Sequence, residues 1–370
     1  MKLTEFLLAL TCLFIPGLQA GQPTTLRKAF KDDFHIGVAL NRTQYLEQDS
    51  GANRVVPTQF SAIVAENCMK SERLQPREGE FFFDDADRFV EYGQKYNMYI
   101  TGHTLIWHSQ TPRWFFMDKD GKEVTRDVLI ERMRSHIYTV VKHFKGKVKG
   151  WDVVNEAIED DGSYRKSKFY QIIGEDFIKL AFQFAHEADP DVELYYNDYS
   201  MAIPAKRDGV VKMVTWLKNQ GVKVDGIGMQ GHIGMDYPEL TEFEKSIQAY
   251  ASTGAKVMIT ELDLSALPTP QGNRGANISD MAAYQEKINP YKTGIPAEAE
   301  KRWENRYLDF FKLFLKHKDK ISRVTLWGVS DKGSWKNNFP VRGRTDYPLL
   351  FDRDYKAKNL VKLLIDEASK

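Results

Sequence analysis

The stretch VKGWDVVNEA, residues 148–157, decides how the chain is read. Val148, Trp151, Val153 and Val154 favour a strand, and a polar pair, Asn155-Glu156, closes the run. A buried strand gains no stability from ending on a carboxylate beside an amide. A second stretch, KVMITELDL (residues 256–264), repeats the design: an apolar run reaches Glu261, and Asp263 follows two residues later. Two buried strands, each presenting a Glu at its carboxyl end, point to a pair of carboxylates facing one cleft. Cleavage of a glycosidic bond needs that arrangement.

Outward from these two, short apolar strands alternate with amphipathic helices. Strands are expected at residues 34–40, 61–67, 99–107, 148–157, 192–198, 226–232, 256–263 and 322–330, eight in all. The clearest helix covers 126–144, where Val128, Leu129, Met133, Ile137, Val140, Val141 and Phe144 recur three and four apart. Others cover 177–188 and 302–317. Strand–helix alternation builds a parallel sheet, and eight such units close into a single (β/α)8 TIM barrel. One such barrel fills about 250 to over 400 residues, so a chain of 370 needs no second domain. The longest aperiodic segment, 265–296, directly follows the Glu261 strand. It is expected over the barrel's carboxyl-end face, where active sites form.

Composition narrows the function. The chain is 42% hydrophobic and 28% charged, with a formal net charge of +1. It has no basic stripe or long charge block, which argues against nucleic acid or an anionic membrane as partner. Residues 1–20 read as a signal peptide: Lys2 is the basic end, residues 6–15 the apolar core and Ala20 the cleavage point. That run is too short to span a bilayer. Residues 21–370 would then form the barrel, exported to the periplasm, the cell surface or the medium, and acting as a monomer. Lipidation at Cys12 is disfavoured, because the residue before it is not a small one of the usual kind. Cleavage leaves Cys68 as the sole cysteine, so no internal disulfide forms, and Cys68 reads as a small core residue.

Polar and aromatic groups gather at one end of the strands. Strand two ends in Glu66-Asn67, with Lys70 beyond. Strand three ends in His103, Trp107, His108 and Gln110. Strand five ends in Asn197-Asp198-Tyr199 and strand six in Gln230-Gly231-His232. Strand eight carries Trp327 and leads to Asp331 and Trp335. With Glu156 and Glu261, seven strands agree. His103 and His108 are five apart, which places them on opposite faces of a strand, so no metal site is expected. His35 reads as a core group, and His136, His143, His186 and His317 read as surface groups on helices. Trp151, Trp216 and Trp303 read as packing. Trp107, Trp327 and Trp335 lie beside polar groups, and flat aromatic faces with hydrogen-bonding neighbours suit a sugar ring.

With these residues assembled, the chain resembles the family 10 glycoside hydrolases, the endo-β-1,4-xylanases. The likeness runs from about Phe34 to the C-terminus. It rests on AENCMK (65–70), GHTLIWHSQ (102–110), WDVVNEA (151–157), YNDY (196–199), MQGH (229–232), ITELD (259–263) and LWGVSDKGSW (326–335), in that order. The resemblance implies a retaining mechanism with no metal or organic cofactor, acting on β-1,4-xylan and xylo-oligosaccharides. It implies Glu156 as acid/base and Glu261 as nucleophile. Retention sets such carboxyls about 5–5.5 Å apart, one protonated and one ionised. Asn155 would bond the sugar 2-hydroxyl, His232 would hydrogen-bond Glu261, Asp263 would orient the imidazole, and Gln230 would support the acid/base. Glu66, Asn67, Lys70, His103, Trp107 and Gln110 would bind sugars on the non-reducing side. Trp327 and Trp335 would roof the cleft and crowd out the hydroxymethyl group of glucose. Tyr199 would stack on the leaving-group side, or else simply pack at its strand end.

Two segments look longer than in compact members of that family: 265–296, and the basic 336–347. In the second, Arg342 and Arg344 are candidates to meet acidic xylan side groups, against the plainer reading of a solvated loop. Three rival functions stand beside the xylanase: a β-1,4-glucanase or cellobiosidase of the same mechanism, a non-catalytic xylan-binding barrel, and a metal-dependent barrel hydrolase, which would lose activity with a chelator.

Overall fold

The structure, a computed structural model, describes residues 24–268, 289–339 and 343–370. Its strands are β1 (His35–Leu40), β2 (Ala62–Ala65), β3 (Tyr99–Trp107), β4 (Gly150–Asn155), β5 (Glu193–Asp198), β6 (Gly226–Met229), β7 (His232–Gly234), β8 (Lys256–Ser265) and β9 (Ile321–Leu326). Sequential neighbours pair in parallel from β1 to β6. β6 then pairs with β8, β8 with β9, and β9 with β1, which closes an eight-stave barrel. The helices Asp84–Lys95, Arg126–His143, Asp176–Ala188, Pro204–Asn219, Leu240–Ser252 and Ala297–Lys316 lie between successive strands. Each parallel crossover requires such a helix.

Burial on both faces explains the apolar runs. Every residue of β4 is buried, because one face meets the helix layer and the other the barrel interior. Trp151 faces outward onto Phe144 at the end of Arg126–His143, with ring centroids 6.0 Å apart. Its neighbour Asp152 instead meets His103 of β3 at 2.9 Å. The bulk of Trp151 is accommodated by Gly102 on β3, where a Cβ would sit 2.1 Å from the indole.

Three departures from the expected elements bear on the site. The sixth strand is split: β6 stops at Met229, and β7 resumes after Gln230-Gly231 and pairs with the far part of β8, His232 opposite Asp263. Gly231 makes the break, with φ +79° and with Ile259 Cγ2 only 2.9 Å from where a Cβ would lie. β8 runs past Asp263 to Ser265, because β7 gives that extension a partner. β9 ends at Leu326, so Trp327 belongs to the loop beyond it.

The helix histidines need correction. His136 is fully buried, donating and accepting between Gln75 Oε1 (2.8 Å) and Ser71 Oγ (3.3 Å), and burial holds its pKa down at about 4. His317 is buried too, paired with Glu244 at 2.7 Å. Residues 1–20, Arg342 and positions 269–288 of the long loop lie outside the described residues. Arg344 is 8% exposed, too buried for a solvated loop.

Candidate active site

The carboxyl ends of the strands converge on the two glutamates. Glu156 follows β4 directly and adopts φ +58°, a left-handed conformation that a residue with a Cβ holds only when its surroundings enforce it. Its N–H donates to Asn197 O at 2.9 Å, and its C=O accepts from Arg165 Nε at 2.8 Å. The next two amides, Ala157 and Ile158, both donate to the Tyr196 hydroxyl, at 3.0 and 3.1 Å. That hydroxyl in turn donates to Asp198, which is paired with the buried Lys206 at 2.9 Å. The turn thereby aims the Glu156 carboxylate into the cleft. Gln230 Nε2 donates to its Oε1 at 2.9 Å and Trp107 Nε1 to its Oε2 at 2.8 Å. His108 stands 3.9 Å from Oε2. Burial, followed by the charges of Arg165 and Lys206, lowers the His108 pKa to about 4, so this imidazole is neutral near pH 7.

Glu261, within β8, is buried and receives one donor on each oxygen. Asn197 Nδ2 reaches Oε1 at 3.0 Å and His232 Nε2 reaches Oε2 at 3.2 Å. Burial alone would raise the pKa of Glu261. The His232 hydrogen bond, the fields of His103 and His232, and the Asn197 bond outweigh it, and the pKa is lowered. His232 is itself fixed by Asp263, 3.0 Å from Nδ1. Burial works against the imidazolium, but the charges and hydrogen bonds of Asp263 and Glu261 prevail and raise its pKa to about 9. A cationic imidazole therefore sits between two carboxylates. Asp263 also accepts from Trp335 Nε1 at 2.8 Å and pairs with Lys336 at 3.3 Å.

Amide side chains link the two glutamates. The Thr260 hydroxyl donates to Asn197 Oδ1 at 2.6 Å, which fixes that amide's orientation. Both Asn197 hydrogens then point inward, one to Glu261 and one to Asn155 Oδ1 at 3.0 Å. Asn155 Oδ1 also faces Gln230 Nε2 at 3.5 Å. Its oxygen is thus occupied, which leaves its Nδ2 as the group available to a ligand.

The remaining residues form one wall of the cleft. Lys70, buried, donates to Gln110 Oε1 (2.8 Å) and Asn67 Oδ1 (3.2 Å), and its ammonium lies 5.0 Å from the Trp107 ring centroid. Burial lowers the Lys70 pKa against the raising charges of Glu261, Glu66 and Glu156. Glu66 is shifted up by burial, opposed by Lys70 and Asn67. Trp327 meets His103 edge to face at 5.6 Å, and Trp335 meets His232 in the same way at 5.1 Å. Glu66, Trp327 and Trp335 line one recess.

Three expected binding residues are engaged differently. The indole N–H of Trp107 is spent on Glu156. The amide of Gln110 is spent on Lys70, on Glu72 at 2.9 Å and on Asn67, so it positions its neighbours. Tyr199 is 5% exposed, with Lys206 Nζ 3.8 Å from its ring centroid and Arg165 donating to its hydroxyl. It packs at its strand end. The sequence placed Asn197 at its strand end without a role, and gave no sign of Arg165 or Lys336 as parts of the site. Only Asn197 carried a signal, its place in YNDY at a strand end. Among the described residues, no three His, Cys, Asp or Glu side chains group closely enough to hold a metal ion.

Comparison with known proteins gives the family and the fold. A family profile described as "Glycosyl hydrolase family 10" matches residues 25–367. The chain is 51% identical to Endo-1,4-beta-xylanase A of Xylanibacter ruminicola over 364 residues, 98% of each chain. A solved structure described as a GH10 endoxylanase retrieved from sugarcane soil metagenome superposes with TM-score 0.88 at 44% identity, covering 94% of this chain and all of that one. A mutant protein solved in complex with xylotriose superposes with TM-score 0.83 at 36% identity, covering 93% of this chain and all of that one.

Proposed function

The chain belongs to glycosyl hydrolase family 10, and from that premise we propose an endo-1,4-β-xylanase that cleaves internal β-1,4-xylosidic bonds of xylan with retention. The observation that carries the proposal is the unlike setting of the two glutamates. Glu261 is buried and accepts from a cationic imidazole and an amide, which favours the ionised form. Glu156 accepts from two neutral donors at the rim of the cleft.

In the first step Glu261 attacks the anomeric carbon while Glu156 transfers its proton to the glycosidic oxygen. The C–O bond breaks, the shortened xylan leaves, and a glycosyl ester forms on Glu261. In the second step Glu156, now a carboxylate, takes a proton from water. The hydroxide attacks the same carbon and frees Glu261. His232, held by Asp263, balances the charge that Glu261 loses and regains. Asn155 Nδ2 meets the 2-hydroxyl, a contact that strengthens as the ring approaches an oxocarbenium ion. Glu66, Asn67, Lys70 and His103 bind sugars on the non-reducing side, with Trp107 and Gln110 aligning them. Trp327 and Trp335 crowd the position of a glucose hydroxymethyl group and so select xylose.

Side-by-side rates on xylan and on soluble cellulose derivatives test the substrate. Faster release of reducing ends from cellulose would overturn the xylan assignment, and binding without release would overturn catalysis. Residues 1–20 serve in this proposal as an export signal, and the mature barrel acts as a monomer. N-terminal sequencing of exported protein should begin at Gly21, and gel filtration should give the mass of one chain. No helix among the described residues is long and apolar enough to cross a membrane.

A further inference from the structure

The first residues of the strands line a cavity of about 450 Å³ at the end of the barrel opposite the glutamates. Arg323, near the start of β9, sits at this cavity and is 5% exposed. One guanidinium nitrogen, Nη1, donates to Thr101 Oγ1 at 2.5 Å. The rings of Tyr99 and Tyr195 flank the group, with centroids 5.7 and 5.5 Å from its central carbon.

A buried guanidinium ordinarily pairs with a carboxylate. Here every carboxylate lining the cavity is engaged elsewhere. Glu193 accepts from Lys256 and from the Tyr195 hydroxyl, both at 2.6 Å. Asp33 accepts from Lys318 at 2.6 Å, and Asp32 pairs with Lys31 at 3.6 Å. Among the described residues none forms an ion pair with Arg323. Arg27, also on the lining, donates only to the neutral carbonyls of Pro57, Tyr96 and Asn97. The lining thus carries four cations, Arg27, Lys31, Lys256 and Arg323, against three carboxylates, one of them neutralised by Lys318 from outside. His35, exposed at the start of β1 and not the core group expected of it, registers the same excess: partial desolvation, then the charges of Arg323 and Arg27, lower its pKa against a weaker raising charge from Glu193.

We propose that this cavity binds a small oxyanion, of the class of inorganic phosphate or sulfate, with Arg323 as its anchor. The planar fork of a guanidinium matches two oxygens of such an ion, and Ser322 lies on the same lining. The bound ion would tie together the starts of β1, β3, β5, β8 and β9. It binds the folded chain alone, so it stabilises the barrel from the face that carries stability rather than chemistry.

Isothermal titration calorimetry and thermal unfolding with inorganic phosphate, against chloride at matched ionic strength, test the site. The intact protein should bind one phosphate per chain and gain a saturable rise in Tm of about 2–4 °C. Arg323→Met should lose both responses while keeping its turnover below the transition. Phosphate also stabilises proteins through exclusion from their surface. An equal rise in both proteins therefore means an adventitious ion only and overturns the proposal, as does the absence of saturable heat in the intact protein. If Arg323→Met fails to fold, Arg323→Lys keeps the charge without the fork. Its phosphate Kd should be at least about tenfold weaker, and an unchanged Kd overturns the proposal.

Discussion

Asn197 on β5 donates an amide hydrogen to Glu261 Oε1 on β8 at 3.0 Å, spanning the one strand, β6, that lies between them. Its second hydrogen goes to Asn155, and its oxygen is locked by Thr260. This one buried amide sets the position of the proposed nucleophile relative to the proposed 2-hydroxyl contact. Asn197→Ala should lower kcat on xylan by about 10- to 100-fold, the range of a lost hydrogen bond to a charged group, with a smaller change in KM. Steady-state kinetics check this, and an unchanged kcat would show that Asn197 is only packing.

The roles of the glutamates separate by leaving group. Glu261→Ala should abolish turnover on every substrate, since no other group replaces the attacking oxygen. Glu156→Ala should still glycosylate on aryl xylobiosides with good leaving groups, and added azide should restore the slow second step. The product should be the β-glycosyl azide. An inverted azide would reverse the assignment.

Trp107 donates to Glu156 at 2.8 Å. Trp107→Phe retains a ring and loses this donor. It should cut kcat/KM on xylan by about tenfold, the worth of one hydrogen bond, and should leave activated aryl substrates, which need little protonation, nearly unaffected. Equal losses on both substrate types would assign Trp107 to sugar stacking instead.

His232 ties stability to pH. Its pKa is raised in the folded state, from 6.5 to about 9. Its contribution is therefore fully present below pH 6.5 and lost as pH rises through 9. The size is on the order of 3 kcal/mol. Glu261 and Asp263 have lowered values, so their contribution is present above their ordinary carboxylate range and lost as pH falls. Thermal melts from pH 6 to pH 10 should show a decline that His232→Gln removes. A decline of equal size in the variant would place the responsible group elsewhere.

Gly231 holds the break between β6 and β7 at φ +79°. Gly231→Ala adds a Cβ 2.9 Å from Ile259 and occupies a left-handed position. It should cost about 1–3 kcal/mol of stability and should lower kcat as well, because Gln230 and His232, on either side, serve different glutamates. Denaturant melts and kinetics on the same preparation check both effects. Lost stability with full activity would show that the break is only a fold feature.

Much of this protein is written locally along the chain. Short apolar runs alternating with period-3.6 helices specify a parallel barrel, and parallel topology brings all carboxyl ends to one face. Glu156, Glu261, His232, Asp263 and Gln230 were therefore legible as residents of one face, while which of them serves which glutamate came only from the family resemblance. The helix 126–144 was legible from its stripe, and His136 could have been read as buried from the same stripe, since it lies three residues from Met133 and four from Val140.

What the sequence did not settle depends on which side chains meet across strands. That Trp107 serves Glu156, that Gln110 is consumed by Lys70 and Glu72, and that Lys336 turns inward onto Asp263 are outcomes of register and side-chain direction between distant segments. The left-handed Glu156 is likewise imposed by Tyr196 and Arg165, not by local preference. By itself the sequence determined the barrel, the face of the site and its two carboxylates, because those follow from periodicity and chain topology. Only the tertiary structure decided which oxygen receives which donor, because hydrogen-bond partners are fixed by ångström-scale placement that no local pattern encodes.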